Sequence, residues 1–161
     1  MQKTWIRAVT TIMTVLIMCM IFLFSTEQAE RSDATSGVFS RWILRITRPD
    51  FDRMPEEAQI VLYNEVQTVV RKTAHFTEFL MLGCSMALCL ESWFGGRNGK
   101  IRFLAIPGGA AYAMLDEWHQ TLVDGRAGQW RDVALDTAGV ICGVLIAGWI
   151  IRRIKSRIKQ D

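Results

Sequence analysis

The sequence predicts an all-α, polytopic membrane protein with four transmembrane helices and an amphipathic helix on the outer side of the membrane. Half of the 161 residues are hydrophobic, and they gather in long blocks that a soluble domain of this size could not bury. The length suits one domain, which we expect to cover residues 1–161. This composition argues against a soluble enzyme, a disordered chain and a nucleic-acid-binding module.

The membrane helices are predicted by four apolar blocks, at residues 8–24, 74–94, 101–123 and 133–151. Each block is close to the length of about 20 residues that a helix needs to cross about 30 Å of hydrocarbon. No small-residue cleavage site follows Phe24, so we interpret the first block as a retained helix and not as a signal peptide. Gly139, Gly143 and Ala147 recur every four residues in the last block, which favours close helix packing.

The distribution of positive charge predicts the orientation. Residues 1–7, 95–102 and 152–161 contain ten of the nineteen Lys and Arg residues. Because cytoplasmic segments of membrane proteins are enriched in Lys and Arg, we expect both termini and the 95–102 turn to be cytoplasmic. The outer segment 25–73 and the short loop 122–132 then face outside.

The outer segment combines a predicted loop with predicted helices. Residues 25–37 are polar and lack periodicity, which predicts a loop. Beyond them, apolar residues occupy one helical face and arginines the opposite face: Val38, Phe39, Trp42, Ile43 and Ile46 against Arg41, Arg45 and Arg48. This pattern predicts a basic amphipathic helix of about three turns that lies among lipid headgroups or packs on the bundle. Pro55 and Glu56 then predict the start of a helix that continues into the second block.

Polar residues gather at the predicted outer ends of the helices. The candidate ligand-binding residues are Ser25, Gln28, Arg71, Lys72, His75, Glu78, Asp116, Glu117, His119, Gln120, Arg126, Arg131, Asp132 and Asp136. Spacings of three and four residues place many of them on shared helix faces. Since charges in hydrocarbon are costly and usually face the bundle interior, we expect three polar faces to meet near the outer leaflet. The alternative is an ion-pair network that only fixes helix packing.

Three chemistries are compatible with this cluster. Its four basic members could clamp an anionic group such as a lipid phosphate. The residues that could act as general acid or base, or assist one, are His75, Glu78, Glu117 and His119. The pairs His75–Glu78 and Asp116–His119 have a spacing that can hold a metal between helices. Such pairs are more often hydrogen-bonded partners, so we assign no metal, and the sequence leaves the cofactor open.

Several segments carry a family resemblance: FSTEQ at 24–28, RKTAHFTEF at 71–79, DEWHQ at 116–120 and RDV at 131–133. In order and approximate spacing, across roughly residues 20–145, the chain resembles the VanZ-like family of small bacterial membrane proteins. The resemblance implies a multi-pass protein of the bacterial cell membrane. The family takes its name from a glycopeptide-resistance accessory protein that lowers sensitivity to teicoplanin.

The function we expect is binding of an anionic envelope lipid, or of a lipid-linked cell-wall component, in an outer-leaflet polar pocket. The resemblance adds an effect on teicoplanin susceptibility. One alternative is a membrane enzyme that acts on a lipid or glycan by acid–base or metal-assisted chemistry. Another is a structural or scaffold membrane protein. The expected partners are membrane lipids and lipid-linked cell-wall intermediates, with no nucleic acid, and the oligomeric state is open.

Overall fold

The computed structural model is all-helical over the residues it describes, apart from short turns. These residues are 2–26, 29–95, 99–123 and 128–157, with the backbone alone described at residues 2 and 29–36. The α-helices of this part of the chain are, in order, α1 (Gln2–Ser25), α2 (Ala29–Thr47), α3 (Glu56–Phe94), α4 (Ala105–Gln120) and α5 (Trp130–Arg157). Two 3-10 turns, Phe51–Arg53 and Ile101–Leu104, precede α3 and α4. The all-α prediction is confirmed.

Within the described residues, three helices are long and apolar enough to cross a membrane: Lys3–Ser25, Glu56–Phe94 and Trp130–Arg157. The predicted helix at 101–123 instead folds as a 3-10 turn followed by α4, which has 16 residues. At 1.5 Å per residue, α4 is about 24 Å long and falls short of the hydrocarbon thickness. Three candidate spans are therefore supported, and a fourth span stays a prediction.

Helix α3 begins directly after Pro55, as predicted, and runs through the second apolar block without a break. Its 39 residues make it about 58 Å long, almost twice the hydrocarbon thickness. A helix of this length projects well beyond the segment 74–94 that would lie in lipid. Helix α2 packs beside the projecting half, where a Cβ on Gly37 would collide with the hydroxyl of Tyr63.

The prediction of a loop at 25–37 is wrong, because α1 continues to Ser25 and α2 already begins at Ala29. Tertiary packing stabilises helices that lack a clear apolar stripe, and α2 buries Gly37, Ser40 and Leu44 instead of its predicted apolar face. The residues left 60–63% exposed are Val38, Phe39, Trp42 and Ile46. These four apolar side chains are therefore not packed on the bundle, and an amphipathic helix at the membrane surface stays a prediction.

Close packing of α3 on α5 forms the most extensive helix pair of the bundle. A Cβ on Gly83 of α3 would collide with the backbone of Val140, and one on Gly143 of α5 with the carbonyl oxygen of Leu80. Gly139 and Gly143 are buried, so the small-residue stripe predicted from sequence is confirmed as a packing face within the chain. Small residues permit this close approach because no bulky side chain stands between the two helix backbones.

Contacts near the termini show which helix ends lie together. The guanidinium Nε of Arg7 donates to the carbonyl oxygen of Ser92 at 3.1 Å, and Lys155 Nζ donates to Glu91 Oε1 at 2.7 Å. The start of α1, the end of α3 and the end of α5 therefore share one end of the bundle. We call the opposite end the polar end, defined by Ser25, Lys72, His75, Asp116, Glu117, Gln120, Asp132 and Asp136. Which end faces the cytoplasm stays a prediction.

Candidate functional site

Three helices bring an imidazole and two carboxylates together at the polar end. His75 of α3, Asp116 of α4 and Asp136 of α5 each offer one possible ligand atom, and these atoms lie within 4.8 Å of one another. Asp116 and Asp136 are 4% and 1% exposed, and His75 is half-buried. Gly139, one turn after Asp136, faces the backbone of Phe76. The absence of a side chain at Gly139 therefore lets α5 approach α3 closely enough for Asp136 to reach His75.

Asp116 is held by hydrogen bonds on both carboxylate oxygens. The hydroxyl of Ser25 donates to Oδ1 at 2.6 Å, and the side-chain amide of Gln120 donates to Oδ2 at 2.9 Å. Hydrogen bonds to a carboxylate are shorter and stronger than those between neutral groups. They connect the end of α1 to α4 and set the orientation of the Asp116 carboxylate.

Asp136 differs from Asp116 in its surroundings. Its side chain is buried, and neither of its carboxylate oxygens has a hydrogen-bond partner among the described residues. Buried polar groups are nearly always hydrogen-bonded, because burial without a partner costs free energy. Fold stability therefore gives no reason for an acid at this position.

Two further contacts close the polar end. Lys72 of α3 forms a salt bridge with Asp132 of α5, so its ammonium group already has a carboxylate partner. Glu117 is 7% exposed and accepts a hydrogen bond from the backbone N–H of Gln129, which ties α4 to the start of α5. The sequence did not predict the role of Gln129, because a contact made by the backbone leaves no pattern in the side chains.

His119 does not form the pair with Asp116 that its helical spacing predicted. Its ring stacks on Phe22 of α1, with 4.7 Å between ring centroids, and its Nε2 atom is buried without a hydrogen-bond partner among the described residues. Asp116 instead meets His75 and Asp136, which come from other helices. Glu78, one turn after His75, is half-buried on the same helix.

Arginines and tryptophans flank the cluster residues along the chain. Arg71 is half-buried one turn before His75, and Arg131 is exposed with its guanidinium carbon 5.8 Å from the centroid of the Trp130 ring. Trp118 and Trp130 are 63% and 76% exposed. Exposed tryptophans are typical of the membrane–water boundary. Two candidates from the sequence, Gln28 and Arg126, lie outside the described residues.

A family model described as VanZ/LLP1 matches residues 10–152, which include every residue of the polar end. The chain belongs to the VanZ/LLP1 family. The match confirms the resemblance that the motifs carry, and with the long apolar helices it indicates a membrane protein. Among curated proteins and among solved structures, none matches this sequence.

The polar end of this VanZ/LLP1 protein combines groups with different chemical capacities. The carboxylates and the imidazole offer oxygen and nitrogen donors to a cation. An imidazole can also exchange a proton near neutral pH. Arg71 and Arg131 can donate paired hydrogen bonds to an anion. The assignment of individual residues to ligand binding or catalysis stays a prediction.

Proposed function

We propose that this VanZ/LLP1 protein binds an anionic envelope lipid, or a lipid-linked cell-wall component, at its polar end. The observation that supports this most is the convergence of three helices on buried ionisable groups at one end of an apolar bundle. Ionisable groups at membrane depth are costly, and they mark ligand pathways and binding sites. The proposal places the protein in the bacterial cell membrane with both termini in the cytoplasm, so that the polar end meets the outer leaflet.

In this proposal the headgroup is recognised by arginine. Lys72 is already paired with Asp132, whereas Arg131 is exposed beside Trp130 at the expected depth of the headgroups. A guanidinium presents a planar pair of donors that matches a phosphate, which an ammonium group cannot copy. Capture of a lipid-linked cell-wall component would also connect the protein with teicoplanin susceptibility, the effect that the family resemblance implies.

The test compares Arg131→Gln with Arg153→Gln. Arg153 is a matched control, because it is exposed on the same helix, lies 5.3 Å from the Trp149 ring and belongs to the opposite end of the bundle. Each full-length protein is purified in mixed micelles of anionic and zwitterionic lipids, and the lipid that remains bound is measured by mass spectrometry.

We expect Arg131→Gln to reduce anionic lipid capture at least about tenfold, since a hydrogen bond to a charged group contributes about 1.5–3 kcal/mol. Arg153→Gln should capture lipid as the unmodified protein does. Equal capture by both variants would contradict headgroup binding at the polar end. The same variants, expressed in a susceptible bacterium, show whether teicoplanin susceptibility follows lipid capture.

A second candidate function is supported by the position of His75 within 4.8 Å of two carboxylates, since such an imidazole can act as general acid or base. A lipid or glycan would then leave the protein chemically changed, and His75→Gln would abolish the change while capture continues. A structural or scaffold role, supported by the bridges from Lys72 to Asp132 and from Ser25 to Asp116, predicts that His75→Gln lowers the amount of folded protein instead.

A further inference from the structure

Acidic side chains cluster around Asp136. Asp116 lies beside it together with His75, and Glu78, Glu117 and Asp132 also act on it electrostatically. Neither oxygen of Asp136 has a hydrogen-bond partner among the described residues. A buried carboxyl group normally has a paired cation, a set of hydrogen-bond donors or a coordinated metal, or it is held in its neutral, protonated form. Because an imidazole nitrogen and a second carboxylate oxygen lie within 4.8 Å of Asp136, this geometry suits a shared metal ion.

The geometry around Asp136 fits coordination by three helices. One atom each from His75, Asp116 and Asp136 lies within 4.8 Å of the others, and ligands of one first-row metal ion lie about 3–3.5 Å apart. Binding of an ion would draw these atoms closer together. The hydrogen bonds from Ser25 and Gln120 hold the Asp116 carboxylate from outside, as the outer partners of ligating carboxylates do.

We propose that His75, Asp116 and Asp136 bind a divalent first-row transition-metal ion. One imidazole nitrogen with two carboxylate oxygens suits ions such as Zn²⁺ and Mn²⁺. Three protein ligands leave coordination positions open for water or for an oxygen of a bound molecule. The helical spacing of Asp116 and His119 predicted a different pair, whereas the structure brings together candidate ligands from three helices.

The geometry of the three side chains supports the metal site by itself. The role of the ion in lipid capture, by contrast, rests on the proposed function. An acid-rich pocket repels a phosphate, and a divalent ion reverses that by neutralising the carboxylates and offering open positions to phosphate oxygens. Arg71 and Arg131 would then bind the rim of a headgroup whose phosphate reaches the ion. The ion would thus make lipid capture dependent on metal.

The test uses the full-length protein in detergent, stripped with a chelator and titrated with ZnCl₂ or MnCl₂ by calorimetry. We expect one ion per chain, and an affinity at least tenfold weaker for Asp136→Asn and for His75→Gln. Glu91→Gln is the matched control, because Glu91 also has a buried oxygen without a partner among the described residues but belongs to the opposite end. Its affinity should equal that of the unmodified protein.

A second measurement avoids variants that fail to fold. Pulsed electron paramagnetic resonance of the Mn²⁺-loaded, unmodified protein should show coupling to one imidazole nitrogen, which His75→Gln removes. Absence of stoichiometric binding, equal affinity for Asp136→Asn, or a nitrogen coupling lost with His119→Gln and retained with His75→Gln would each overturn the site.

Lipid capture by stripped and metal-loaded protein separates the site from its role. Capture that rises with the metal supports the role of the ion as a bridge. Equal capture in both states overturns that role while the site stands. Metal binding without lipid capture in either state supports the site and overturns the proposed function.

Discussion

Replacing Gly143 with alanine tests the close packing of α3 on α5 that positions the polar end. A Cβ at this residue would collide with the carbonyl oxygen of Leu80 and lie 2.7 Å from the backbone nitrogen of Cys84. Both atoms belong to the backbone of α3, so no side-chain rotation relieves the clash. At Gly108 of α4, a Cβ would meet the terminal methyl of Met86 at 2.9 Å, and this flexible side chain can move aside.

The expected cost at Gly143 follows from the separation of the two helices. Ordinary van der Waals contact begins near 3.4 Å, so α5 must move away from α3 by at least roughly 0.7 Å to clear Cys84, and by more to clear the nearer carbonyl oxygen of Leu80. A gap of about 0.5–1 Å removes a quarter to a half of the dispersion attraction at a contact. Overpacking costs about 1–3 kcal/mol, and alanine regains about 1 kcal/mol of helix propensity relative to glycine. Because the clash is with backbone atoms that cannot rotate away, we take the upper half of the overpacking cost and expect Gly143→Ala to lower the free energy of unfolding by about 1–2 kcal/mol.

The measurement is reversible unfolding in mixed micelles titrated with sodium dodecyl sulfate and followed by circular dichroism. Gly108→Ala is the control, and it should leave the free energy of unfolding unchanged or raise it by up to about 1 kcal/mol. Because Gly143 and Asp136 lie on the same helix, Gly143→Ala should also weaken metal binding at the polar end. Equal unfolding free energies for the two variants would refute the close approach of α3 and α5.

Two further predictions concern the polar end and its orientation. Ser25→Ala should lower the free energy of unfolding by about 1.5–3 kcal/mol, since it removes a hydrogen bond to the buried Asp116 carboxylate. The control is Thr26→Ala, whose exposed hydroxyl donates only to the nearby carbonyl oxygen of Leu23 and whose loss should change the free energy of unfolding by less than about 0.5 kcal/mol. Similar losses for both variants would contradict a stabilising bridge from Ser25 to Asp116. A reporter active only in the cytoplasm should work when fused after Asp161 and be silent within 33–35, because Lys and Arg concentrate around the termini; the reverse pattern would turn the polar end toward the cytoplasm.

The long apolar helices and the glycine packing face of α5 could be predicted from local patterns in the sequence. Long apolar blocks predict membrane helices because lipid requires every backbone group to be paired within the helix. The recurrence of Gly139 and Gly143 predicted a packing face, and both residues are buried against α3. The helix over 29–37 was not predicted because its polar sequence lacks an apolar stripe; at its end, a Cβ on Gly37 would collide with the hydroxyl of Tyr63 of α3.

The sequence by itself determined that both histidines and several acids lie toward one end of the bundle, because their positions along each helix set their depth. Only the tertiary structure decided which of them meet. The rotation of each helix and the helix that it faces depend on packing between distant segments, which helical spacing does not encode. For that reason His75 joins Asp116 and Asp136, His119 stacks on Phe22, and Lys72 pairs with Asp132. The close approach of α3 and α5 completes a cluster whose members are spread over 62 residues of sequence, from residue 75 to residue 136.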